Sequence, residues 1–204
     1  MDIEGMLERL GAVIGPPPEG GVVPVPWELA PEAIGFQLPA DYRAFADRYG
    51  RVSIRGELHV YTPSSVPGPA LGQPPGFEGF RFYTTEPYGY CGMLAQAYEE
   101  GDYEECPYPL FPAEGGLLKW GNNWCSDQFF WLMRGPDPDR WPVAAKFDSM
   151  QQWDLFEGGF LEFVLAAVTE EYPYHRDVVP RGARFAGEVR AYRFRGDWSK
   201  YPQD

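Results

Sequence analysis

Histidine is nearly absent from this chain, with two copies in 204 residues, and cysteine is scarce, with three. His59 and His175 are not spaced with Cys, Asp or Glu as metal ligands are, so neither a metal nor a cofactor is expected. Cys91, Cys106 and Cys125 form an odd set without a CxxC spacing, which argues against a disulfide framework and for a reduced, cytoplasmic protein. Long apolar runs are missing too. The stretch from Leu161 to Val168 already holds a glutamate and falls far short of the ~20 residues that span a bilayer. No charged start followed by an apolar run stands near Met1, so no secretory leader is expected.

Positive charge is also short. Seventeen basic residues against thirty acidic ones leave a net charge of −13, which disfavours nucleic acid and anionic membranes as partners and suits a basic one. The deficit is uneven: no basic residue lies between Arg81 and Lys119, while Glu86, Glu99, Glu100, Asp102, Glu104, Glu105 and Glu114 are all acidic. From Arg176 onward the balance reverses. The surface is therefore sided, with Glu99, Glu100, Asp102, Glu104 and Glu105 as its densest acidic segment.

Apolar residues make up 44% of the chain and aromatics 17%, a composition that builds a bulky core. A chain of this size has room for one ordinary domain. The 22 prolines and 24 glycines predict short elements joined by many turns.

Ile3, Met6, Leu7, Leu10 and Val13 recur at helical spacing, with Asp2 to cap the start and Gly15 to end it. Trp27 to Ile34 predicts a short helix limited by Pro31. In LPADYRAFADRYG, residues 38–50, Tyr42, Phe45, Ala46 and Tyr49 share one helical face and Gly50 suits a left-handed end. VSIRGELHVY, 52–61, alternates around Arg55-Gly56-Glu57 and predicts a hairpin or two short strands. A long loop at 62–79, a strand at FRFYT (80–84), a helix over 90–100 with the acidic cluster at its end, and an extended PYPLFP follow. LLKW (117–120), QFFWLM (128–133) and PVAAKFD (142–148) predict three strands. A helix within 158–171 closes the domain, and VRAYRF adds a strand in the tail. Helices, then strands, then a helix imply an α+β domain with a twisted, mainly antiparallel sheet. The expected division is one domain over 1–171 and a C-terminal extension over 172–204.

Four of the seven tryptophans fall between Leu117 and Val143. Within QFFWLM both alternating faces are largely apolar, as in a central strand covered on each side. Asn122, Asn123 and Asp127 then belong to a polar turn, and Trp124 within it is the natural anchor for a partner. Two enzymatic alternatives can be drawn, Cys125 beside Asp127 as a nucleophile with His59 brought near by folding, and Asp137 with Asp139 as a metal pair. The simpler account of GPDPD is a turn whose aspartates bond their own backbone.

LPADYRAFADRYG, LLKWGNN, the FFWL strand, GPDPDRWPV and FEGGFLEFVLAAV, in that order, resemble the SUKH superfamily, which includes bacterial immunity proteins and a yeast cell-wall-synthesis regulator. The resemblance covers about residues 27 to 170. One departure is that Ser126-Asp127 stands where Gly-Asp is common in such members. It implies an α+β domain without catalysis that binds a protein, often the enzymatic domain of a secreted toxin. Three readings follow: an immunity protein whose acidic surface covers a basic toxin such as a nuclease, a housekeeping interaction module of the same fold, and the enzyme. Glu99, Glu100, Asp102, Glu104, Glu105, Asn122, Asn123, Trp124 and Asp127 are the candidate partner-binding residues.

Overall fold

The computed structural model describes residues 2–17, 22, 24–63, 76–85, 95–97, 99–101, 106–179 and 189–191. The chain opens with α1 (Ile3–Ile14), whose Gly5 N–H donates to Asp2 Oδ1 at 3.0 Å, and whose Leu7, Leu10 and Ile14 are buried. A 3-10 turn, Trp27–Leu29, leads into α2 (Ala30–Ile34), and α3 (Ala40–Tyr49) follows. Tyr42, Phe45, Ala46 and Tyr49 all face inward, and Gly50 takes the positive φ of 67° that ends the helix.

β1 (Val52–Ile54) and β2 (Leu58–Val60) form the expected hairpin. Arg55 and Gly56 both have positive φ and Glu57 N–H returns to Ile54 O at 3.0 Å, a turn whose twist matches that of the strands. Residues 80–84, expected as a strand, are instead part of α4 (Phe77–Thr84). Aromatic alternation in FRFYT imitates a strand, but Phe77, Phe80 and Thr84 also repeat at helical spacing. Phe80 and Thr84 are buried, and the Thr84 hydroxyl donates to Phe80 O at 2.7 Å. Residues 95–97 and 99 are helical, and the rest of the helix expected over 90–100 lies outside the described residues.

The three tryptophan-rich strands form as expected: β3 (Leu117–Asn122), β4 (Gln128–Leu132) and β5 (Val143–Phe147). β6 (Gln152–Phe156), to which no expectation attached, pairs with β5. The closing helix α5 (Phe160–Val168), a short α6 (His175–Val178) and β7 (Val189–Ala191) complete the described chain. The sheet order is β6-β5-β4-β3-β2-β1-β7, and every neighbouring pair is antiparallel. The fold is α+β.

Most of the core lies on one sheet face, where α3 and α5 meet Trp120, Phe129 and Trp131, α1 packs on α5, and Phe147 meets Tyr172 and Tyr174. Tyr42 joins these layers. Its ring meets Trp131 and Phe160 edge-on at 4.8 and 5.2 Å, and its hydroxyl donates to Tyr61 O. Tyr172, Val178 and Val179 belong to the same cluster. On the other face Leu117, Phe130, Leu132 and Ala144 pack with Tyr108, Leu110 and Trp153. β4 thus alternates between two buried faces.

β3 has a bulge at Trp120, since Lys119 opposes Phe130 while Gly121 opposes Phe129. At Gly121 β2 comes so close that a Cβ would stand 2.6 Å from His59 O, so only glycine fits.

Candidate functional site

Cross-strand partners share a sheet face, so Ser53, His59, Asn122, Gln128, Lys146 and Trp153 form one row across β1 to β6. Over the His59–Asn122 part of this row stands the turn between β3 and β4. Asn123, 2% exposed, holds it together. Its Oδ1 accepts from Cys125 N–H at 3.0 Å and Asp127 N–H at 2.9 Å, and its Nδ2 donates to Asp127 Oδ2 at 2.7 Å and Asp177 O at 2.6 Å. Asp127 is also buried and accepts from Asp148 N–H at 2.8 Å. Burial pushes its carboxyl up from the ordinary value, while the hydrogen bonds from Asn123 and Asp148 pull it back. The turn is thereby fixed to the β5–β6 connection and to α6. Ser126 closes it with a φ of 70°, a conformation natural to glycine.

Trp124 projects from this rigid turn and is 65% exposed, the highest value among the large apolar residues described. Its Nε1–H donates to Gly56 O at 2.6 Å and its ring meets the His59 imidazole edge-on at 4.9 Å. Burial, with Arg51 adding to it, lowers the pKa of His59 from 6.5 to about 4. The imidazole is therefore neutral near pH 7.

Beside Trp124 lies a cleft of about 190 Å³ bounded by Arg51, His59, Tyr61, Tyr83 and Asn122. Tyr61 and Tyr83 stack at 4.6 Å, and the Arg51 guanidinium lies over Tyr83 at 5.0 Å and Tyr61 at 6.0 Å. The Tyr61 hydroxyl donates to Asn122 Oδ1.

The candidate residues thus separate into two groups. Asn122, Asn123, Trp124 and Asp127 come together, with Asn123 and Asp127 building the turn that Trp124 rides on. Glu99 and Glu100 are exposed, and Gln96 Nε2 donates to Glu100 Oε1 at 2.7 Å. Asp102, Glu104 and Glu105 lie outside the described residues. The cleft partners Arg51, Tyr61 and Tyr83 escaped the sequence reading, which drew His59 only as a companion of Cys125. They come from the hairpin and from α4, which looked like a strand, and no local spacing connects them.

The residues of the enzymatic alternatives have the following surroundings. Asp137 accepts from Asp139 N–H at 3.2 Å, and Asp139 accepts from Ala40 N–H at 2.6 Å at the start of α3. The pair caps a 3-10 turn and a helix. Partial burial raises the Cys125 thiol, with Asp127, Glu57 and Asp177 adding to the shift, so it is held as a thiol. Among the described residues no group of three or more His, Cys, Asp or Glu is placed to hold a metal, and no helix is long and apolar enough to cross a membrane.

No protein-family model, curated protein or solved structure matches the chain.

Proposed function

We propose that this protein is a non-catalytic binding module, an immunity protein acting in the cytoplasm that neutralises a secreted toxin. One observation carries the reading. Trp124 is 65% exposed on a turn fixed by a buried Asn123–Asp127 network, with its indole N–H already bound. An exposed indole costs solubility and adds little to the core, whereas a pre-ordered aromatic anchor is what a protein interface spends its binding energy on. Non-catalytic action is supported by Asp137 and Asp139 serving as caps and by the raised Cys125 thiol. That the partner is a basic toxin domain follows from the resemblance and from the −13 charge, which favours encounter with a cationic surface.

The test is co-expression with the product of a neighbouring toxin gene, followed by binding of the purified pair. Rescue of growth by the wild-type chain and its loss with Trp124→Ala is the expected result. Replacing a central interface tryptophan should weaken binding by about 2–4 kcal/mol, roughly 30- to 1,000-fold. Absence of any toxin gene nearby, or rescue undiminished in Trp124→Ala, counts against the reading.

A further inference from the structure

We propose that the outer edge of β6 takes an extended segment of a protein partner as an added strand, with Lys or Arg opposite Asp154 and apolar residues on either side of it opposite Trp153 and Leu155. This rests on the reading of the chain as a protein-binding module and names the form and chemistry of one bound segment.

The sheet ends differently on its two sides. On one it ends in β7, three residues long, and short edge strands are one guard against unwanted pairing. On the other it ends in β6, whose five residues pair with β5 in unbroken register over about 17 Å. Among the described residues the backbone of Gln152–Phe156 bonds to β5 alone, and the strand holds no proline, lysine or bulge to blunt its edge. A row of N–H and C=O groups therefore faces outward. The strand is held from both faces. Trp153 packs on Phe130 at 5.7 Å on one side; on the other, Gln152 Nε2 donates to the Tyr174 hydroxyl at 2.7 Å and the Tyr172 hydroxyl donates to Asp154 Oδ2 at 2.6 Å. Such a pre-ordered edge lowers the cost of adding a strand. The start of β6 is also tied to the Trp124 turn, since Asp148 N–H donates to Asp127 Oδ1 at 2.8 Å.

Charge selects the occupant. Among the described residues Asp154 is in no ion pair, whereas Asp148 pairs with Lys146 at 2.9 Å and Glu157 with Arg134 at 3.5 Å. Antiparallel pairing with a second copy sets the two Asp154 carboxylates opposite or diagonal to each other on one face, in every register that joins most of the strand. Two chains of −13 add to that repulsion. The carboxylate that bars a copy accepts a cation from a partner, and on the other face the half-buried Trp153 and Leu155 suit apolar neighbours.

The test uses the full chain and three peptides capped at both ends: acetyl-Thr-Val-Lys-Val-Thr-amide and the same sequence with Gln or Glu at the centre, which read alike in either strand direction. Binding is followed by NMR through the shifts and hydrogen exchange of the β6 backbone amides. In the free chain the β6 amides that do not bond to β5 should exchange rapidly, and the Lys peptide should slow them. It should bind about three-fold more tightly than the Gln peptide, and the Glu peptide more weakly still, the range of a cross-strand charge pair. Asp154→Asn, which keeps an acceptor for Tyr172, should level the three. Should that variant fail to fold, the ranking on the wild-type chain carries the test. Slow exchange of these amides in the free chain, whether a second copy or another part of the chain covers them, overturns the proposal. So do shifts that leave β6 untouched, no binding by any peptide at millimolar concentration, or a ranking that does not favour Lys. A chain that binds the Lys peptide at β6 but no toxin keeps the edge and loses the toxin reading, whereas a toxin complex in which the β6 amides still exchange rapidly does the reverse.

Discussion

Asn123 Nδ2 lies 2.7 Å from Asp127 Oδ2, and both side chains are buried. Asn123→Ala deletes four hydrogen bonds at once and leaves Asp127 buried with one fewer donor. The expected cost is about 2–4 kcal/mol, since a buried polar group that loses its partner bears its full desolvation penalty. Chemical denaturation reads it. A change under about 1 kcal/mol would show that the turn is not held by this network.

Ser126→Gly should do the opposite. Ser126 sits at φ 70°, where a Cβ is strained and glycine is not. The αL conformation costs about 1–2 kcal/mol for a residue with a side chain, partly offset by the larger backbone entropy glycine loses on folding, so a gain of about 0.5–1 kcal/mol is expected. A lower melting temperature in the glycine variant would contradict it.

Phe45 is fully buried and packs on Phe160 at 5.2 Å and on Tyr49 at 5.1 Å. Phe45→Ala should destabilise by about 3–5 kcal/mol through lost burial and the cavity left between α3 and α5. A melting curve that stays put would remove Phe45 from the core.

His59 makes stability depend on acid. The unfolded chain takes up a proton near pH 6.5, whereas the folded chain, with His59 at about 4, does not until the pH is much lower. The stability tied to neutral His59 is therefore fully present above pH 6.5 and is lost as the pH falls from 6.5 to about 4. Allowing for the partly exposed ring, the loss should be about 1–2 kcal/mol. Denaturation midpoints measured across this window should fall less in His59→Gln than in the wild type. Parallel curves would mean that His59 is not desolvated as described.

The acidic segment should act on encounter. Replacing Glu99, Glu100, Glu104 and Glu105 by glutamine is expected to slow association with a cationic partner several-fold at low salt and to flatten its salt dependence, with little change in dissociation. Unaltered kinetics would shift the contact to the Asn122–Asp127 turn alone.

Much of the fold was legible along the chain because the signals were local. Leu7 and Leu10 mark one helix face, Gly50 an end, and the double-sided apolar pattern of QFFWLM a central strand. The Asn and Asp residues of the 122–127 turn were recognisable for the same reason, since Asn123 Oδ1 accepts from the turn's own Cys125 and Asp127 N–H groups. FRFYT failed because a five-residue aromatic stretch satisfies both periods. Packing of Phe80 and Thr84 decided for the helix. β6 gave little contrast because its five residues are all half-buried at the sheet edge. The sequence by itself determined the α+β class and the polar turn that carries Trp124. Only the tertiary structure decided that Arg51, His59 and Tyr83 stand beside Trp124. The β2–β3 register and the placement of α4 bring them there, and both are set by long-range packing that no spacing along the chain encodes.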